Sequence, residues 1–290
     1  MARPLRLERP GAVYHIATLG NAGLPVFRGP DDSQRFLEIL GEVCGRFRWR
    51  CLTFCLLPDR YLLVVKTEAA SLSRGMRQLN GRYTQAFHRR HATAGHLFQG
   101  RYKAVMVEED GYLAPVCCDV LRQPVVRGIA PEAGAWRWSS YRAALGRPSP
   151  VAAGDWLDNG PLLAAFGGDP AAAKGRLSDA LAQAPDAAVW EDLRHQVFLG
   201  SEAFVETMRE AARRAAAGRG DLSEIPRAQW KAPPPALESF AASADSRDEA
   251  MAQAYLSGAY SQAAIAAYYG IHYSSVSRAI RRYERSRAAS

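Results

Sequence analysis

Two β-prone runs, Trp49–Leu57 and Tyr61–Lys66, stand on either side of Pro58-Asp59. Pro-Asp is a turn signal, and so short a break makes its flanking runs pair antiparallel. A β-hairpin is therefore expected in the N-terminal half, and its neighbours must pack on a sheet. Before it, "VYHIAT" (Val13–Thr18) has the apolar and aromatic content of a strand. Asp31–Phe47 carries Phe36, Leu37, Ile39, Leu40 and Val43 at helical spacing. After the hairpin, Leu72, Met76, Leu79, Tyr83 and Phe87 recur three and four apart within Leu72–His91. That spacing predicts an amphipathic helix with an Arg-rich outer face. Lys103–Val107 alternates as a short strand, and Asp110–Leu121 reads as a helix ending before Gln123-Pro124, because the residue before proline is driven from helical geometry. The order βαββαβα predicts an α+β domain with helices on one face of an antiparallel sheet.

Residues 1–148 are expected to hold this domain, and 149–218 an Ala-rich helical connecting region with breaks at Gly167-Gly168 and Pro185. A linker is placed at 219–245, where "KAPPPALE" cannot be helical. The last module, 246–290, contains "YSQAAIAAYYGIHYSSVSRAIRR". Ser261 would cap a helix bearing Ile265, Ala266 and Tyr269; Gly270 would allow a left-handed turn; and Ser274 or Ser275 would cap a second helix with Val276, Ile280 and Tyr283 inward. Two short helices so joined predict a helix-turn-helix. Its outer face presents Ser275, Ser277, Arg278, Arg281, Arg282 and Arg285. Such a helix enters the major groove with polar residues at base edges and arginines on phosphates or guanine. A helical hairpin with a solvated basic face would give the same pattern.

Charge supports a polyanion partner only where it is concentrated. The chain carries +8 overall, and Ile271–Ser290 alone has five Arg against one Glu, or +4 of that excess. Only four of the 37 basic residues are Lys. Arg binds phosphate as a bidentate fork and stacks on bases, although a compositional bias towards Arg and Ala would look alike. Five cysteines with no CxxC pair read as buried thiols rather than a disulfide or zinc framework. No apolar run approaches the ~20 residues of a membrane helix, and no secretory leader is visible, so a cytoplasmic, nucleoid-associated location without membrane partner is expected.

"PGAVYHIATLGN" (Pro10–Asn21), "MRQLNGRYTQAFHRRHATAGHLFQGRYKAVMVEEDGYL" (Met76–Leu113), "QPVVRG" (Gln123–Gly128) and "WRWSSYRAALG" (Trp136–Gly146) resemble the REP-associated tyrosine transposases. The resemblance covers about the first 170 residues, and the C-terminal module resembles the helix-turn-helix of longer members. It implies a ferredoxin-like α+β domain, a His-hydrophobic-His pair binding a divalent metal, and a tyrosine that attacks a DNA phosphate beside a short hairpin. Two imidazoles at i and i+2 of a strand share one face and one ion, which would polarise the phosphate for the phenolate.

At those positions this chain departs from the family. Where the resemblance implies Met-Pro-Asn-His-hydrophobic-His, it has Leu57, Pro58, Asp59, Arg60, Tyr61 and Leu62; where it implies Tyr-Ile-x-x-Asn-Pro-Val, it has Asp119, Val120, Leu121, Arg122, Gln123, Pro124 and Val125. Arg60 repels a metal, Leu62 has no donor atom, and Asp119 replaces the nucleophile; Leu19 also stands where relatives carry Arg. No metal or cofactor is expected. Arg60 would hold a phosphate in the ion's place, with Arg77, Arg82, Arg89, Arg90, His96, Gln99, Arg101 and Lys103 as further DNA contacts. Tyr83 and Phe87 read as core, and Phe98 and Tyr102 as surfaces for unpaired bases. The expected protein is a non-cleaving binder of hairpin or single-stranded DNA and of duplex DNA, acting as a regulator. An endonuclease with a rebuilt centre is the alternative, drawing on Tyr112, Asp59, His88, His91, His96, Glu108, Glu109 or Asp119, since Tyr61 would face the core. Monomer and homodimer both stay open.

Overall fold

The computed structural model describes residues 8–149, 151, 154–183, 187–217, 236–244, 246–256, 260 and 262–288. It divides into two compact units that part between Met208 and Arg209.

In the first unit, β1 (Val13–Leu19) lies between β3 (Arg60–Thr67) and β4 (Lys103–Val107), antiparallel to both. β2 (Trp49–Leu57) pairs with β3 across Pro58-Asp59, the expected hairpin. Helices α1 (Pro30–Phe47) and α2 (Leu72–His91) cover one face of the sheet, where Tyr14, Ile16, Tyr61, Leu63 and Val65 meet Phe36, Leu40, Met76, Leu79 and Tyr83. Gly75 lets α2 approach: a Cβ there would collide with the Trp49 indole, whose Nε1 donates to Ser71 Oγ at 3.1 Å.

The expectation of helices on one face only is corrected. The opposite face is covered by α3 (Leu113–Val126), α4 (Tyr141–Ala144), α5 (Gly160–Ala165) and α6 (Pro170–Ala182), and Leu62, Val64, Val105 and Val107 pack there with Val116, Cys117, Val120 and Leu121. Tyr61–Val65 is buried at all five positions, as a strand covered on both sides requires. The helix α3 also runs past its expected end: Pro124 lies within its last turn, where it forfeits one i→i−4 hydrogen bond, and the chain leaves through Gly128 at φ +66°.

Residues 149–208 are no mere connector. β5 (Leu193–Arg194) and β6 (Phe198–Leu199) extend the sheet to the order β2-β3-β1-β4-β6-β5, with β6 parallel to β4. Strands of two residues are too short to show alternation. Helix α7 (Glu202–Ala217) follows.

In the second unit, α8 (Leu237–Ser243) starts two residues after the prolines, so the expected linker is shorter than 219–245. It is followed by α9 (Arg247–Leu256), α10 (Gln262–Tyr269) and α11 (Tyr273–Ala288). Met251, Ala252, Ile265, Val276, Ala279 and Ile280 form their common core, with Leu237 and Phe240 packed on it. Gly270 makes the expected left-handed turn at φ +64°. Ser261 lies outside the described residues, and Ser274 and Ser275 fall in the first turn of α11 rather than at its cap. All five cysteines are buried free thiols. Among the described residues no helix is long and apolar enough to cross a membrane.

Candidate nucleic-acid interface around a vacated centre

Strand register decides which side chains share the α3 face of the sheet. Arg60 pairs with Leu19, Leu62 with Ala17, and Ala17 with Lys103; one step along, Val64 pairs with His15 and His15 with Val105. Paired residues project to one side, so Arg60, Leu62, Ala17, His15 and Lys103 share that face. Tyr61 projects to the other, buried with its ring 4.5 Å from Phe36 and its hydroxyl donating to Asn80 Oδ1.

The centre of this face is filled. Leu62 is 7% exposed and packs among the residues of α3. Arg60 forks onto its own neighbour, with Nε 3.0 Å from Asp59 Oδ1 and Nη2 2.6 Å from Oδ2, which holds the Asp59 carboxyl below its usual range. Asp119 is half-buried on α3; burial raises its pKa, while the Trp190 indole and Gln123, at 3.4 Å, donate to its carboxylate. The Trp190 ring also meets His15 edge-on at 4.9 Å. His15 is buried, its Nε2 has no partner among the described residues, and burial lowers its pKa to about 4. Tyr112, two turns before Asp119, donates to Asp192 Oδ2 at 2.9 Å, which raises its phenol pKa. The segment around Trp190 and Asp192 thus lies over the positions where the resemblance implies chemistry.

The donor set here does not fit a divalent cation. Two of the implied positions hold a guanidinium and an isobutyl group, and among the described residues no three His, Cys, Asp or Glu side chains come together as a metal cluster. Asp59 is engaged by the Arg60 guanidinium, and His15 is a single buried imidazole, so no set of converging ligands forms here among the described residues.

At the end of the same strands a basic rim is open. Gly20 N–H donates to the Asp59 carbonyl at 2.7 Å, Asn21 N–H to that of Leu97 at 2.8 Å, and Gln99 N–H to that of Leu19 at 2.8 Å. These bonds stitch the loop Gly95–Lys103 to the hairpin turn, which gathers Arg60, Gln99, Arg101 and Lys103 at one sheet end. His96, Gln99, Arg101 and Lys103 are exposed, and His88 anchors the loop through Thr93 Oγ1 at 2.8 Å and the Gly95 carbonyl at 3.0 Å. Phe98 and Tyr102 are a correction. Each is 8% exposed and sits in the core on the α2 side. Neither can stack an unpaired base as placed.

Residues 10–117 match the family described as "Transposase IS200 like". Within the first unit, residues 10–117 are the IS200-like stretch. Among solved structures, one described as "Structure of the REP associates tyrosine transposase bound to a REP hairpin" is similar at 15% identity and TM-score 0.45, over 55% of this chain and 94% of that one. No curated protein matches the chain.

On the transposase domain the α2 stripe lies across the sheet from Asp119 and is partly neutralised. Arg82 pairs with Glu42, Arg90 with Asp31, and His91 with Asp32 at 2.9 Å. Arg77 and Arg89 are exposed and have no carboxylate within 4.0 Å among the described residues. Tyr83 and Phe87 are buried beneath them. Stripe and rim are two surfaces joined by the Gly95–Lys103 loop.

In the second unit Ser275 and Ser277 are half-exposed, and Arg278 and Arg282 are exposed along α11. Arg282 Nη2 lies 2.8 Å from Asp248 Oδ2, and Arg278 folds back on the Ser274 carbonyl at 3.3 Å. The side chains of Arg281 and Arg285 lie outside the described residues. Sequence reasoning missed Trp190, Asp192, His15 and Arg247. Only His15 carried a signal, as the one imidazole in a largely apolar strand.

Proposed function

We propose that this chain is a DNA-binding protein whose transposase domain holds hairpin or single-stranded DNA without cutting it, while α10 and α11 act as a helix-turn-helix on duplex DNA. The observation that carries the reading is β3, which presents Arg60 and Leu62 where the resemblance implies two imidazoles, beneath an aspartate where it implies the nucleophile. Phosphates would meet the exposed donors of Arg101, Lys103, Gln99 and His96 at the rim, with Arg60 supplying fixed positive charge behind them. Arg77 and Arg89 would track the backbone along α2. The role is that of a regulator of transcription or chromosome structure, acting at particular chromosomal sites in the cytoplasm.

Labelled hairpin DNA incubated with the protein and Mn²⁺ or Mg²⁺ tests the first half. Retarded but intact DNA is expected, and a nicked product or covalent adduct refutes the assignment. Removing residues 246–290 tests the second half: duplex binding is expected to fall strongly while hairpin binding persists. Equal duplex binding by the shortened chain refutes the helix-turn-helix.

A further inference from the structure

A groove between the start of α9 and the outer side of α11 gathers three guanidinium groups around a small apolar floor. Arg247, Arg278 and Arg282 line it with Ser275, over Met251 and Ile271. One carboxylate, Asp248, faces them and is occupied by Arg282 at 2.8 Å. Three cations against one anion leave an excess of two positive charges.

The heads are oriented rather than splayed. Arg247 donates through Nη2 to the Tyr269 carbonyl at 2.7 Å, and its guanidinium lies over the Tyr269 ring at 5.1 Å. Arg278 is held by the Ser274 carbonyl and the Ser275 hydroxyl, both at 3.3 Å. Each of these bonds uses only part of a five-donor fork. What remains exposed is a set of N–H groups whose positions are fixed by α9, α10 and α11 together. This chemistry suits a tetrahedral phosphate, which takes forked donors from two sides.

We infer that this groove seats a backbone phosphate of duplex DNA, with Arg247 as a contact contributed from outside the α10–α11 pair. The inference rests on the duplex-binding reading of the second unit. It adds that α9 grips the strand while α11 reads the groove, so that Arg247 positions the module without choosing sequence.

The test is full-length protein titrated with fluorescent duplexes of several sequences from 50 to 200 mM salt. Arg247→Gln keeps a donor for the Tyr269 carbonyl and loses the charge; Arg247→Lys keeps the charge and loses the fork. Arg247→Gln is expected to weaken all duplexes by a similar factor, roughly 5–10-fold, and to lower the steepness of log K against log salt by about 0.9. Arg247→Lys is expected to retain the wild-type steepness. An Arg247→Gln protein with unchanged affinity and salt dependence overturns the inference, as does one whose preference among sequences changes instead. Wild-type protein that holds no duplex at 50 mM salt overturns the helix-turn-helix reading itself, a distinct result. Circular dichroism of each variant separates loss of contact from loss of fold.

Discussion

Replacing His15 by leucine is expected to flatten the acid limb of the transposase domain's stability. The imidazole is enclosed between β1 and Trp190, and burial holds its pKa near 4 instead of 6.5. The unfolded chain takes up a proton at the ordinary value, while the folded chain resists it until about pH 4. Stability present at neutral pH is thus lost as pH falls from 6.5 towards 4. One pKa unit is worth 1.36 kcal/mol, so the full difference amounts to about 3 kcal/mol, of which about 2 kcal/mol is spent between pH 7 and pH 5. At neutral pH, leucine removes a buried Nε2 that has no partner among the described residues, so stability there is expected to change by no more than about 1.5 kcal/mol. Five of the six tryptophans, Trp49, Trp136, Trp138, Trp156 and Trp190, lie in this unit, so indole fluorescence in urea follows its unfolding. Midpoints are compared at pH 7, 6 and 5 for both proteins. Parallel decline in wild type and His15→Leu would refute the reasoning, since the lost stability would then come from other groups.

Two further predictions concern the same unit. Asp59→Asn releases the fork of Arg60, and hairpin affinity is expected to rise about 3–5-fold at low salt with a salt dependence steeper by about 0.7; Arg60→Ala in the same protein should cancel the gain, and a gain that survives it removes Arg60 from the interface. Gly75→Ala forces a methyl group into the Trp49 indole, and the melting temperature is expected to drop by roughly 3–10 °C, the shift from a clash of about 1–3 kcal/mol. An unchanged melting curve would mean that α2 does not rest on Trp49.

The hairpin, α2 and β4 were legible because each carries its own local signal: a turn pair, a 3.6-residue stripe, an alternation. The departure from the motifs that the resemblance implies was visible for another reason. Arg60, Leu62 and Asp119 stand out only against the spacing of the motifs around them, which the chain retains. What fills that centre left no such trace. Trp190 and Asp192 sit in an irregular stretch far along the chain, and nothing local says that they will meet His15, Asp119 and Tyr112. Phe98 and Tyr102 looked like stacking surfaces because their loop is basic and aromatic; the inward turn of both rings depends on the Leu19–Gln99 pairing, a contact distant in sequence. The both-faced sheet was hinted at by the unbroken apolar run of β3, which a preference for one-sided packing passed over.

If the chain does not cut DNA, as proposed, the indole of Trp190 has a consequence for anyone wishing to install cleavage. Installing histidines at 60 and 62 and a tyrosine at 119 would restore the missing atoms but not the empty space they need, since a bulky ring already leans on His15 and hydrogen-bonds the nucleophile position. On the non-cleaving reading proposed above, cleavage would be barred by volume as well as by chemistry. A working cutter would require vacating that ring's lodging before, or together with, any change of ligands.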